Sequence, residues 1–382
     1  MWQLAGHRLK QHLIDACILG ARQIWPTTSV NIEPTNICNL ACSICPQSNG
    51  LSRPQGTMSL DTFKLIVSAC QPSVTTMAMY LHGEPFLNPD LPDMVALAAE
   101  KGIRVSIFTN GIPITEAVWR RILNVKVTKP GRNRGASLVR LKDRDPISSE
   151  VGYAENTIRA ASVVFSMDLL SAEGYQRIKG ADLFSSASAQ LATLARLNAE
   201  QPRPIRMTLR SIYGGEDRNS VRFALGKWLS MPGISDMQLT HPIPWPGRKD
   251  ADILGSRLLP EGSDFLCPQI WNSPSIYWGG SVSPCSYDYM GECIIGDIHK
   301  NSLTEIVNSE AARRFRRHHL LGNRHRIPLC AECFLPRFLT DIITIRATEY
   351  QKMDEPGKES LLSRIERLRL QLWDDFPTQA PG

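Results

Sequence analysis

Three cysteines, Cys38, Cys42 and Cys45, follow an extended apolar run, Ser29-Val30-Asn31-Ile32, with the spacing Cys-x3-Cys-x2-Cys. Three thiolates can bind three irons of a [4Fe–4S] cube and leave the fourth iron open to a small chelating molecule. Soft thiolate ligands suit such clusters; a zinc knuckle short of one ligand is the competing reading. No histidine lies near this loop, and structural zinc sites normally take four ligands. A second set, Cys267, Cys285, Cys330 and Cys333, holds enough thiols to close another site completely. Four thiolates in two separated groups serve zinc and a cluster equally well. Cys293 stands beside this set as a spare ligand, a hydrogen-atom donor or a plain strand thiol.

The residues around the first triplet are more specific. Glu33-Pro34-Thr35-Asn36-Ile37-Cys38-Asn39-Leu40-Ala41-Cys42-Ser43-Ile44-Cys45-Pro46 resembles the signature loop of radical S-adenosylmethionine (SAM) enzymes. His82-Gly83-Glu84-Pro85 is similar to that family's motif for the methionine amino group of SAM. Thr109-Asn110-Gly111 and Ser166-Met167-Asp168 match landmarks near its ribose and carboxylate. The resemblance therefore implies a cluster on Cys38, Cys42 and Cys45, with Gly83, Glu84, Pro85, Asn110, Ser166 and Asp168 around SAM. Arg210 joins this cofactor-binding set. Ile44 occupies a position that is often aromatic in the family, and an aliphatic chain there can still pack on adenine.

The second set also has a family context. Cys267-x12-Gly280-x4-Cys285, then Ile295-Gly296-Asp297-Ile298, Ser302-Leu303-Thr304-Glu305-Ile306 and Cys330-x2-Cys333 resemble the auxiliary-cluster domains called SPASM and twitch. This implies an auxiliary [4Fe–4S] cluster on the four cysteines. The longer SPASM pattern continues with more cysteines, and none follows Cys333, so the shorter twitch type is expected.

Positioning these groups requires a scaffold of alternating strands and helices. Strands are expected at Ser29-Glu33, Thr75-Leu81, Arg104-Phe108, Val163-Met167, Ile205-Arg210 and Met237-Thr240. Helices are expected at Leu60-Cys70, Leu91-Lys101, Thr115-Leu123, Ala187-Asn198 and Ser220-Leu229. The fold class is α/β: a partial (βα)6 TIM-like barrel followed by a small Cys-rich SPASM/twitch domain. Each motif then falls at the carboxyl end of a strand, where βα-barrel sites are built. The expected divisions are an N-terminal amphipathic helix (1–28), the barrel (29–241), a linker (242–265), the auxiliary domain (266–337) and a helical tail (338–382). A basic insertion at about 124–160 interrupts the barrel and reads as a tolerated loop. The apolar stripe Leu361, Leu362, Ile365, Leu368 and Leu372 reads as tail packing.

Composition excludes several classes. The 382 residues carry a net charge of +6 and contain no apolar run near the roughly 20 residues of a membrane span. Seven of the ten cysteines lie in metal-like sets and no signal peptide is evident, which points to a reducing cytoplasm rather than disulfides. Two basic stretches, Lys126–Arg144 and Arg313–Arg326, lack interleaved aromatics, so both read as solvated surface and nucleic acid is not an expected partner.

The resemblance implies reductive cleavage of SAM to a 5′-deoxyadenosyl radical that takes a hydrogen atom from an unactivated C–H bond. An electron donor such as flavodoxin or ferredoxin is then a partner. The auxiliary cluster would accept or relay an electron, making the protein an oxidoreductase of dehydrogenase or epimerase type. The twitch pattern is shared with enzymes oxidising small-molecule alcohols. Some 28 residues before the first strand are also too few for a leader-binding domain, so a sugar or aminocyclitol is expected rather than a ribosomally made peptide. Cys293 and Asp288 are candidate catalytic groups, and Glu216, Asp217 and Tyr287 are further candidate substrate contacts.

Overall fold

The computed structural model describes residues 20–125, 161–168, 170–213, 216–240, 266–331, 333 and 342–373. Six strands, β1 (Ser29–Ile32), β2 (Thr76–Met79), β3 (Arg104–Thr109), β4 (Ala161–Ser166), β5 (Arg206–Ile212) and β6 (Asp236–Thr240), alternate with helices. All five neighbouring pairs are parallel, in the order of the chain. Helices cover such a sheet on one side while side chains fill the other. β4 and β6 are buried on both faces, as at Ala161-Ser162-Val163-Val164-Phe165, while β2 and β3 alternate buried and half-buried positions. Val30, Met77, Val105, Val163, Met207 and Met237, one from each strand, all lie in one buried core cluster.

The helices of this half are α1 (Leu60–Cys70), α2 (Leu91–Glu100), α3 (Glu116–Leu123), α4 (Ala172–Lys179), α5 (Phe184–Ala199) and α6 (Arg218–Leu229). Ser59, Thr115, Ser171 and Asp217 begin α1, α3, α4 and α6 by accepting backbone N–H bonds. Five of the six match the expected helices; α4 was not expected, because its first turns are polar. Trp119 on α3 donates its indole N–H to the Leu194 carbonyl of α5 at 3.0 Å.

The sheet continues past the six-stranded unit in both directions. β7 (Ser275–Ile276) pairs parallel with β1, and β8 (Ser281–Ser283) and β9 (Gly296–Asp297) extend it antiparallel. At the other edge β10 (Ile343–Arg346) pairs antiparallel with β6. The C-terminal segment thus contains a strand before its helices, which an all-helical reading of 338–382 missed. Beyond it, Leu362 and Ile365 of the helix Glu355–Trp373 are buried, and Arg218 of α6 pairs with Glu359 and Glu366. The cysteine-rich half adds α7 (Leu303–Val307), opened by a reciprocal Ser302–Glu305 capping box, and α8 (Glu310–Leu320).

The expected N-terminal helix falls mostly on residues 1–19, outside the described residues, as do 126–160 of the insertion and 242–265 of the linker. Ala21 and Ile24 are described, and neither is helical. Among the described residues no helix is long and apolar enough to cross a membrane.

The basic stretch after Ser309 departs from the expectation of solvated surface. Arg316, His319 and Arg324 are buried, with Arg316 2% exposed. Ala312, Phe315, Arg316 and His319 recur at helical spacing and share the inner face of α8. Arg316 donates to the carbonyls of Ala21, Ile270 and Val307 and lies over the Trp271 ring, so its charge is fully hydrogen-bonded.

Candidate active site

The first cysteine set sits on the loop leaving β1. Asn36, fully buried, fixes that loop: its amide donates to the Pro54 carbonyl at 2.9 Å and accepts from Gly56 N at 2.8 Å. Gln47 donates to the Asn36 carbonyl at 2.7 Å, and Cys45 N donates to the Cys42 carbonyl at 3.0 Å. Glu33, also fully buried, pairs with Arg53, whose Nη1 donates to it at 2.7 Å. Trp278 N donates to the same carboxylate at 3.3 Å, and Arg53 donates to the Tyr289 carbonyl at 2.9 Å. The cysteine loop is thereby tied to the cysteine-rich half.

Burial raises the thiols of Cys38 and Cys42, and Cys45 to about 11, with the neighbouring cysteines adding to the rise at Cys38 and Cys45. These three thiols therefore share one desolvated environment. Ile44, on the same loop, is half-buried.

Gly83 and Glu84 follow β2. A Cβ on Gly83 would stand 2.1 Å from the Thr35 carbonyl oxygen, so only glycine lets the two strand ends approach. Glu84 N donates to the Ile37 carbonyl at 2.9 Å, and Pro85 starts a short 3-10 turn. The Glu84 carboxylate accepts from Thr109 Oγ1 and Asn110 N, both at 2.7 Å, and from Phe86 N at 3.1 Å. Burial still lifts its carboxyl to about 7. Asn110 Nδ2 reaches Asn39 Oδ1 at 2.8 Å and lies 3.8 Å from Cys38 Sγ. Gly83, Glu84, Pro85 and Asn110 are thus brought against the cysteine loop.

At the end of β4 the main group is one that the motifs did not single out. Lys179, the last residue of α4, is buried, and its ammonium lies 2.7 Å from both Asp168 Oδ2 and the Ser166 carbonyl. Asp168 holds a left-handed φ of 52° and accepts from Ile212 N at 2.6 Å. Its carboxylate thereby ties Lys179 and β5 together at the strand ends. The same helix end seats the cysteine loop: Ser43 N donates to the Ile178 carbonyl at 2.9 Å, and Ser43 Oγ to Arg177 O at 3.0 Å. The charge of Lys179 acts against the rise at all three cysteines. Lys179 falls on the stripe Tyr175, Ile178, Lys179 just before Gly180, but its burial there is set by the packed helix.

Arg210 on β5 donates to Gln238 Oε1 at 2.8 and 3.1 Å and lies 5.2 Å over the Phe108 ring. Phe108 packs on Tyr80 with ring centroids 5.1 Å apart. Burial lowers Arg210 to about 10, while Tyr287 and Tyr80 oppose the shift. Arg210, Phe108 and Tyr80 therefore form one connected aromatic and cationic group at the strand ends, with Tyr287 of the cysteine-rich half near enough to act on the Arg210 charge.

The second cysteine set is also gathered. Cys267, Cys285 and Cys330 are buried, and Cys293 and Cys333 pack against them. Burial raises Cys267 to about 12 and Cys285 and Cys330 above the usual thiol range, and the other cysteines of the set add to each rise. Among the described residues no three His, Cys, Asp or Glu side chains converge as the ligands of one ion would. A cube places each thiolate on a different iron, so its cysteines need not meet at a point. Two desolvated sets of soft donors, three in one and four in the other, fit an open and a closed [4Fe–4S] cluster respectively.

Three of the candidate groups, one catalytic and two substrate contacts, also hold local structure. Asp288 accepts from Ser283 Oγ at 2.8 Å and from Glu292 N and Cys293 N at 2.9 Å each, so its carboxylate closes the turn leading to Cys293. Asp217 is the N-cap of α6, and Glu216 is buried beside Arg177, 3.4 Å away.

The model of the Radical SAM superfamily matches residues 32–131, and that of SPASM, an iron-sulfur cluster-binding domain, matches residues 267–334. A PqqA peptide cyclase of Xanthomonas axonopodis pv. citri is 30% identical over 314 residues, covering 76% of this chain and 77% of that protein. The 7,8-dihydro-6-hydroxymethylpterin dimethyltransferase of Methanocaldococcus jannaschii is 29% identical over 119 residues, 30% of this chain. The chain spans only 22% of that relative's length and 28% of the PqqA peptide cyclase of Granulibacter bethesdensis. Among solved structures, Streptococcus suis SuiB superposes with a TM-score of 0.55 at 13% identity, covering 81% of this chain and 72% of that one. The anSMEcpe structure with bound AdoMet gives 0.54 at 15% identity, covering 91% and 97%. Both likenesses concern the fold. Matched at the cysteine loop, at the auxiliary cysteines and along three quarters of its length, the chain belongs to the radical SAM enzymes with a SPASM domain, whose cofactors are [4Fe–4S] clusters and SAM.

Proposed function

We propose that this enzyme removes a hydrogen atom from a peptide substrate, with Cys38, Cys42 and Cys45 holding the SAM-binding cluster and Cys267, Cys285, Cys330 and Cys333 the auxiliary one. The observation carrying the peptide reading is the 314-residue match to a protein named as a peptide cyclase. It outweighs the expectation of a sugar or aminocyclitol, which leaned on the short auxiliary pattern. When bound, the open cluster and SAM supply a 5′-deoxyadenosyl radical able to abstract hydrogen from an unactivated C–H bond.

The chain's own residues bind, orient and exclude. Glu84 offers a buried carboxylate to the SAM ammonium, held at both oxygens by Thr109 and the Asn110 N–H. Gly83 keeps that carboxylate close to the cysteine loop. Asn110 and Ser166 stand at neighbouring strand ends for the ribose and carboxylate, and Ile44 packs on the adenine. Tyr80, Phe108, Arg210 and Tyr287 line the approach and keep water from the reacting bond.

Glu84 makes SAM binding pH-dependent in a defined direction. Its carboxyl titrates near 7, so it is mostly neutral below that pH and attracts an ammonium only once ionised. Affinity of the loaded protein for SAM should therefore rise about fivefold between about pH 6 and 7, before the SAM amino group loses its own proton near about 8. Calorimetry measures this directly. A flat profile, or one that Glu84→Gln leaves unchanged, contradicts the assignment.

The substrate class is tested by anaerobic turnover. Reconstituted, reduced enzyme is given SAM with short peptide pools or with polar metabolites such as aminosugars, and 5′-deoxyadenosine is quantified. Stimulation by peptides alone supports the reading. Stimulation by metabolites alone overturns it in favour of the small-molecule alternative, which the lack of any cysteine after Cys333 favours.

A further inference from the structure

Behind the second cysteine set lie two buried nitrogen groups that the reading so far leaves without a task. His319 on α8 is 4% exposed, and its Nε2 lies 3.4 Å from Cys330 Sγ. Arg324, 5% exposed in the turn after α8, donates from Nη1 to the Cys330 carbonyl at 2.7 Å. The His319 ring stacks on Phe315, four residues earlier on the same helix, with centroids 6.0 Å apart and planes 17° from parallel. One ligand candidate is thus gripped at its sulfur and at its backbone.

The sulfur decides the direction of the first bond. A cysteine bound to iron carries no proton and can only accept, so Nε2 carries the hydrogen and donates it. Nδ1 is then the lone-pair nitrogen, and it finds no hydrogen-bond partner in its buried position.

We propose that His319 and Arg324 are positioning residues that set the reduction potential of the auxiliary cluster, His319 through an N–H···S bond to Cys330 and Arg324 through its buried charge. The inference rests on the reading that Cys267, Cys285, Cys330 and Cys333 hold that cluster. A cube with four thiolates is already an anion, and reduction adds one more negative charge inside the protein. A hydrogen-bond donor on a ligating sulfur and a nearby guanidinium both stabilise the reduced state, so both raise the potential. The cluster is thereby held as an electron acceptor. The chain places this pair within a stretch that its composition alone marks as surface.

The test is a redox titration of the anaerobically reconstituted full-length enzyme, followed by electron paramagnetic resonance. The auxiliary signal is the one that added SAM does not perturb. His319→Phe keeps a ring on Phe315 but removes the donor, and should shift the electron-transfer equilibrium about tenfold towards the oxidised cluster, a fall of about 59 mV for one electron. Its iron and sulfide content should match the wild type. His319→Gln, which keeps an amide N–H, should recover most of the shift, and Arg324→Gln should lower the potential independently. Unchanged midpoints in His319→Phe and Arg324→Gln overturn the proposal. Loss of the auxiliary iron in both His319 variants overturns it too, because the imidazole would then be a ligand. Wild-type enzyme with iron for one cluster only overturns instead the reading on which the proposal stands.

Discussion

Lys179→Met destabilises the protein by about 3–5 kcal/mol, because it strips a buried carboxylate of its partner. The side chains of Lys179 and Asp168 are 6% and 1% exposed, so water cannot replace the lost charge. Burial alone pulls the lysine pKa down; the charges of Asp168 and Cys42 more than offset it, and the group stays protonated. Its contribution is therefore fully present at neutral pH. Asp168→Asn should cost a comparable amount by leaving the ammonium unpaired. The double variant Lys179→Met/Asp168→Asn should lose clearly less than the sum, since the two positions share one interaction. Urea unfolding of all four proteins closes the cycle. A single-variant loss under about 1 kcal/mol, as for an exposed pair, contradicts the account. The damage also reaches the cysteine loop, whose Ser43 is seated on the same helix end, so reconstituted Lys179→Met should carry less iron at the first site.

Gly83→Ala should lower SAM affinity by about a hundredfold or more, the scale on which an ångström of misplacement is felt. The new methyl would meet the Thr35 carbonyl oxygen at 2.1 Å, its carbon at 2.8 Å and Asn36 Cα at 2.9 Å. All three are backbone atoms of the loop that carries the cysteines, so no side chain can turn aside. Either Glu84 moves away or the cysteine loop does. Gly279→Ala is the matched control, because a Cβ there meets nothing within 4 Å. Calorimetric titration of SAM into loaded protein separates the two variants. Equal affinities would mean that the strand ends are free to part.

Much of this site could be read from the sequence because its parts are local. Cys38, Cys42 and Cys45 lie within eight residues, and the motif at Gly83 follows a strand whose apolar pattern is plain. Periodicity placed α1, α2, α3, α5 and α6 for the same reason. What escaped was set by tertiary contact. β7 and β9 are two residues each and exist because β1 and β8 offer them edges, and β10 forms on β6 across a hundred residues of chain. Lys179, His319 and Arg316 look solvent-facing in composition, and only the packed helices show that each is buried against a defined partner. Asp168 and Asp288 also carry structural contacts that residue type alone does not show: Asp168 accepts from Ile212 N and Asp288 from Ser283 Oγ.

The central claim is that Cys38, Cys42 and Cys45 support reductive cleavage of SAM. Protein reconstituted anaerobically with iron and sulfide, reduced and given SAM should release 5′-deoxyadenosine, and Cys42→Ala should fall to background while keeping its auxiliary iron. Equal nucleoside from Cys42→Ala and wild type, or none from fully loaded wild type with a competent reductant and the peptide and metabolite pools present, would contradict it.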